Sequence, residues 1–258
     1  MPIYSDKKAI VRRKRIFRIK IYFLIFFAAL VSFGIYYLVL YSSVFKIKSI
    51  IIENNKFLTN EEIIRDLKQY VLRGGFAGQA GFDNLFSWPS GKIAVADPAV
   101  SELKINKNWI GREVKVSVEE RERFAIWCVF GGDNCYWMDR QGIIFAEAPL
   151  TEGSLVFTVF DSRNNVLLLG SKIEEDRFVG NLISVLENLN KTGFEITKIN
   201  FDKDLQEITV QTMEGTRLLF SDRFNSAQNI ALIKDLNLKN VDYIDLRVEN
   251  KIYYKNNK

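Results

Sequence analysis

The chain has two cysteines, no histidine and several adjacent acids, and these residues bound the chemistry open to it. Without histidine there is no His-based triad, no His general base and no mixed Cys/His zinc site. Two cysteines are too few for a four-thiolate zinc site, so neither a metal nor a cofactor is implied. Carboxylate chemistry remains. Glu61-Glu62, Glu119-Glu120 and Glu174-Glu175 are the paired acids, and a two-carboxylate glycan hydrolase needs its acids ~5–9 Å apart in a cleft. Glu61 and Glu62 open a helix, where acids favour the dipole, and the other two pairs read as solvated faces or turns.

Cys128 and Cys135 flank Gly131, Gly132, Asp133 and Asn134 in the stretch AIWCVFGGDNCYWMD. Apolar runs around a Gly/Asp/Asn cluster read as a β-hairpin. A turn at Gly131-Gly132 would set Cys128 opposite Cys135, where a disulfide is geometrically open and two buried thiols are the alternative.

Which of these holds depends on compartment, and compartment is read from the N-terminus. Residues 1–20 carry eight basic residues and one acid, and Ile21 to Leu40 then runs uncharged, interrupted only by Ser32 and Gly34. About twenty apolar residues rising 1.5 Å each cross a ~30 Å hydrocarbon core. The run is longer than a signal-peptide core and lacks a small-residue cleavage pattern, so it reads as an uncleaved anchor over residues 21–43. Basic residues stay cytoplasmic, and Tyr36, Tyr37 and Tyr41 sit where interfacial aromatics belong. The chain after Tyr41 is then extracytoplasmic, which permits a disulfide. The net charge of +5 belongs to the tail, since residues 1–20 hold +7 and residues 21–258 hold −2. A nucleic-acid reading of the basic pI therefore fails.

Two outer modules follow. In the first, residues 44–121, Phe45–Glu53 reads as a strand. Thr59 and Glu62 form a capping box that opens a helix with Ile63, Ile64, Leu67, Tyr70 and Val71 on its buried stripe. Gly74, Gly75, Gly78 and Gly81 read as a loop; they do not lead from a strand into a helix and so are no phosphate cradle. Pro89 and Ser90 predict a second short helix carrying Ile93, Ala94 and Val95 and ending at Asp97-Pro98. Ala99–Ile105 and Val114–Glu120 read as strands. The order is strand, helix, helix, strand, strand.

The second module, residues 122–254, is β-rich. Strands are predicted at the cysteine hairpin, Ile143–Phe145, Leu155–Phe160, Val166–Leu169, Ile196–Phe201, Glu207–Thr212, Arg217–Phe220, Val241–Val248 and Ile252–Tyr254. Helices are predicted at Glu174–Leu189, stopped by Gly193, and at Asn225–Asn237. Residues 255–258 read as a free end. The fold class is α+β behind one transmembrane helix.

The whole chain resembles the FtsQ/DivIB family of bacterial division proteins. The segment IIIENNKFLTNEEI resembles that family's strand–turn–helix start, and Asn84-Leu85-Phe86 its N-L-F. Asp97-Pro98-Ala99-Val100, Asn108-Trp109 and Val114 through Arg121 resemble the family's strand entries. Met138-Asp139-Arg140-Gln141-Gly142-Ile143-Ile144-Phe145 resembles its V-D-x-x-G-x-x-F, and Tyr243-Ile244-Asp245-Leu246-Arg247 its terminal I-D-L-R strand. Asn55, Ile110 and Arg123 depart from the pattern at turns.

The resemblance implies a POTRA domain over residues 44–121, an FtsQ-type β domain, and a non-enzymatic scaffold at the division septum. Its implied partners are FtsB-like and FtsL-like single-pass proteins, with other division proteins meeting the POTRA domain, and no small-molecule substrate. The FtsB-like partner would add a strand beside the chain's last strand, involving Arg247, Val248, Lys251, Ile252, Tyr253 and Tyr254. An edge strand exposes unpaired N–H and C=O groups that template a partner. Lys251 and Lys255 would disfavour self-pairing, and Arg247 would reach a partner carboxylate; the alternative is a solvent-capped final strand with inward tyrosines. The other functional classes are the anchored glycan hydrolase and an envelope-assembly protein, which usually carries several POTRA repeats where one is found here.

Overall fold

A computed structural model describes residues 7–94, 96–129, 134–149, 156–163, 166–233 and 241–256. It divides into two compact units, Met1–Val95 with Glu102–Val118, and Ala96–Ser101 with Glu119–Lys258. The class is α+β, with one apolar N-terminal helix and mixed sheets.

Helix α1 runs Lys7–Tyr41, and its segment Arg15–Tyr41 is long and apolar enough to cross a membrane. Helical structure thus extends back through much of the basic tail. At the other end Ser42 caps a 3-10 turn, Ser43–Phe45, by accepting from Val44 N. This turn displaces the start of the expected strand at Phe45, so β1 is shorter, Ser49–Glu53.

In the first unit β1 pairs in parallel with β4 (Glu113–Glu120), setting Ile50 beside Val114 and Ile52 beside Val116. With β3 (Val100–Asn108) and β2 (Gly91–Ile93) the sheet order is β1-β4-β3-β2. Helix α2, Asn60–Leu72, opens on the expected capping box: Thr59 N donates to Glu62 Oε2 at 2.9 Å, and Glu62 N to Thr59 Oγ1 at 3.3 Å. Its buried residues Ile63, Leu67 and Val71 join Leu85, Trp88, Leu103, Ile105, Val114 and Val116 in the core.

The second helix differs from the expectation. Helix α3 is a single turn inside the glycine loop, Gly75–Gly78, and the stretch after Pro89-Ser90 is β2. Gly91 takes φ +95°, which a helix forbids, and Ile93 buries itself by pairing with Leu103 on β3. Val95 lies outside the described residues.

The second unit is built on a nine-stranded sheet. Its strands are β5 (Ala125–Cys128), β6 (Cys135–Met138), β7 (Ile144–Glu147), β8 (Thr158–Asp161), β9 (Ile196–Asp202), β10 (Glu207–Thr212), β11 (Arg217–Ser221), β12 (Val241–Val248) and β13 (Lys251–Asn256). They lie in the order β13-β12-β11-β10-β9-β8-β5-β6-β7. The pairs β5·β8, β8·β9 and β11·β12 are parallel. Helix α4, Asp176–Thr192, buries Phe178, Val179, Leu182, Val185, Leu186 and Leu189. All of these but Phe178 join Trp127, Ile199, Val210, Phe220 and Ile244 in one core. Gly193 ends α4 in the left-handed conformation, as expected.

β8 starts at Thr158 where a strand was expected from Leu155, which lies outside the described residues, and four further expectations shift here. α4 starts at Asp176, because Glu174 is held instead by Arg163 and Lys203. Val166–Leu169 forms no strand: Val166 and Leu168 are exposed, and the chain turns so that Gly170 N reaches Ile144 O at 2.7 Å. The helix expected over Asn225–Asn237 begins as a 3-10 turn, Ser226–Asn229, followed by α5, Ile230–Ile233; residues 234–237 lie outside the described ones. Finally, Lys255 and Asn256 extend β13 where a free end was expected, because both pair with β12; residues 257–258 lie outside the described ones.

Candidate functional site

The expected partner-binding residues converge on the terminal hairpin. β12 and β13 are antiparallel, with Ile244 opposite Tyr254, Asp245 opposite Tyr253 and Val248 opposite Lys251. The turn residue Asn250 takes φ +58°, a conformation that asparagine tolerates. β13 is an end strand of the sheet. Among the described residues its backbone pairs with β12 alone.

The side chains divide by face. Alternation sets Ile252 and Tyr254 on one side of β13 and Lys251, Tyr253 and Lys255 on the other. Ile252 packs against the main core and anchors the strand. Tyr253 and Tyr254 are 50% and 61% exposed, and Val248 is 43% exposed, so neither tyrosine is the inward residue of a capped strand. Lys255 Nζ lies 3.3 Å from Asp242, which Arg217 also reaches at 3.2 Å. Hydrogen bonds from Lys255 and then Arg217 hold Asp242 below the usual carboxylate range. Lys251 has no ion pair among the described residues.

Arg247 is not where the partner reading needs it. Its guanidinium grips Asp245 through Nε at 2.9 Å and NH2 at 2.7 Å, and its NH1 reaches Glu207 on β10 at 2.8 Å. The hydrogen bond to Asp245 leads in raising Arg247 above its ordinary value, and the same contact leads in lowering Asp245. Both carboxylates belong to this chain, so Arg247 braces β12 against β10 and offers no free fork to a partner. Sequence reasoning missed Asp245 as its mate, although the i, i+2 spacing on a strand set the two on one face. Glu207, forty residues away, left no local signal.

The cysteines meet as the hairpin reading required. Cys128 and Cys135 are register partners and disulfide-bonded, with Cα atoms 4.1 Å apart. With Ile126 they form a small apolar cluster, packed by Trp137, Ala148, Val156 and Phe160. Gly131 and Gly132 lie outside the described residues.

The paired acids have the following partners among the described residues. Glu62 is committed to the helix cap. Burial pushes Glu174 up, but hydrogen bonds from Lys203 and Arg163 outweigh it and hold the carboxylate below its ordinary value. Glu175 is the N-cap of α4 and Glu119 is an exposed strand residue. Asp222 is fully buried, and neither of its oxygens has a hydrogen-bond partner among the described residues. Burial first, then the nearby charge of Glu174, pushes it up to about 8. Among the described residues no group of three or more Cys, Asp or Glu is placed to hold a metal ion.

No protein-family model matches this sequence, and no curated protein matches it significantly.

Proposed function

We propose that this chain is a membrane-anchored, non-enzymatic scaffold of the FtsQ/DivIB kind. The N-terminal tail is cytoplasmic, and everything folded after α1 is extracytoplasmic at the division septum. The first unit serves as a POTRA domain that meets other division proteins. The second takes an FtsB-like strand beside β13 and, through it, an FtsL-like protein, so that septal peptidoglycan synthesis is recruited and regulated.

The observation that supports this reading is the β13 edge, unpaired among the described residues, with its two exposed tyrosines. An uncovered strand of six residues is an aggregation liability unless something pairs with it. A partner strand gains affinity from main-chain hydrogen bonds, and Tyr253 and Tyr254 offer apolar area on both faces for specificity. The test is the position of an N-terminally tagged copy in dividing cells. A band at midcell that forms with constriction is the expected result; uniform envelope signal throughout the cycle contradicts the proposal.

A further inference from the structure

The end of the first unit from which α1 departs carries apolar side chains that the unit leaves uncovered. Ile110 is 99% exposed, Val44 60%, Trp109 45% and Phe86 39%. They make one patch. The rings of Phe45 and Phe86 meet edge-on at 4.8 Å, and those of Phe86 and Trp109 at 5.0 Å. Ile110 follows Trp109 in the turn between β3 and β4, and Val44 precedes Phe45.

Hydrogen bonds tie this patch to the point where α1 ends. Arg112 NH1 donates to Ser43 O at 2.8 Å, and Lys48 N donates to Arg112 O at 2.8 Å. Asn84 Nδ2 donates to Val39 O, in the last turn of α1, at 2.8 Å, and Leu85 N donates to Phe45 O at 2.9 Å. The β3–β4 turn is thus held beside a residue only two positions past Tyr41. Cations rim it. Lys46 and Lys48 are exposed, Lys46 having Asp83 at 3.9 Å, and Lys107 holds its ammonium 4.9 Å from the Trp109 ring.

Resting on the reading of α1 as a membrane anchor, we propose that this patch is a second membrane contact. Trp109 and Ile110 dip into the outer interface of the bilayer that α1 crosses. Tryptophan favours the headgroup level and an exposed isoleucine favours the acyl boundary just below it. Nearby lysines favour anionic headgroups. Because the patch continues the surface of α1 at its exit, the occupant is lipid. The contact fixes the height of the first unit above the membrane.

The experiment uses the full chain in liposomes of phosphatidylethanolamine and phosphatidylglycerol, spin-labelled singly at Ile110→Cys, Phe57→Cys or Ile25→Cys. The native cysteines are bonded to each other and buried. Ile110 and Phe57 are both exposed, so neither change threatens folding. Phe57 follows the end of β1 remote from the patch, since β1 starts beside Glu113 and finishes beside Ser117. Collision with oxygen against a water-soluble nickel reagent reports depth.

The expected result is a lipid signature at Ile25, a water signature at Phe57, and an oxygen-to-nickel ratio at Ile110 several-fold above that at Phe57. A ratio at Ile110 equal to that at Phe57 overturns the proposal and moves the patch to a protein partner. A lipid signature at Phe57 as well means general adsorption and also overturns it. A water signature at Ile25 sinks the anchor reading, and the proposal with it.

Discussion

At one end of the nine-stranded sheet, the start of β7 is held by the segment Gly170–Lys172; at the other, β13 meets no further backbone among the described residues. Ile144 N donates to Ser171 O at 3.1 Å, Gly170 N donates to Ile144 O at 2.7 Å, and Ile143 bridges Lys172. No such cover reaches β13 among the described residues. Both edges carry the same unpaired backbone groups by nature, so the difference lies in what the chain does with them. One edge is met at Ile144 by a loop with a left-handed glycine at its bend, Gly170 at φ +87°. The other keeps two tyrosines and two lysines exposed over six residues.

A large effect is expected from uncovering β7. Gly170→Pro removes the donor to Ile144 and cannot adopt the positive φ, so the second unit should lose about 3 kcal/mol in urea unfolding. It should also gain concentration-dependent association, because a second edge is now free. An unchanged urea midpoint would mean that the loop does not close the edge. Next is the disulfide. Replacing Cys128 and Cys135 together by alanine should cost about 2–3 kcal/mol, as expected for a short loop, and should leave β13 pairing intact.

Asp222 gives an effect that touches neither edge and so calibrates both. Its folded value is raised to about 8, well above an unfolded carboxyl near ~3.9. Between these values the folded state binds the extra proton, so stability falls as pH rises from about 4 to about 8 and is flat outside that window. Asp222→Asn should abolish that slope in urea midpoints measured across the range; a slope unchanged by the substitution refutes the assignment.

Tyr253→Lys should weaken partner binding about tenfold, or ~1.4 kcal/mol, with the thermal midpoint of the unit unchanged. Equal affinity would remove β13 from the interface. Smallest is Arg247→Met, which should destabilise the second unit by about 1 kcal/mol, reduced by its partial exposure, and leave partner affinity alone. Tyrosine acting on binding and arginine on stability is the outcome that the proposal predicts.

How much of this was legible in the sequence depended on whether the signal was local. The Thr59/Glu62 cap, the stripe of α4, the cysteine hairpin and the alternation of β12 all rest on residues within a few positions of one another, and all appear. β2 was missed because three residues are too few for a period, and Pro89-Ser90 imitates a helix start. Val166–Leu169 misled because a short apolar run carries no face, and two of its members are exposed. The mate of Arg247 and the cover over β7 come from strand neighbours far apart in sequence. That β13 lies at an edge is a property of strand order, which pattern alone does not encode; the expectation came from the family resemblance.

The central claim is that β13 is the template for a partner strand. The most direct measurement is photo-crosslinking in growing cells with a benzophenone amino acid at position 253 and, as a control, at Val166, which is 93% exposed and away from β13. The account predicts that position 253 captures a small single-pass envelope protein and that position 166 does not. Capture at both positions alike, or at neither while the protein sits at the septum, would contradict it.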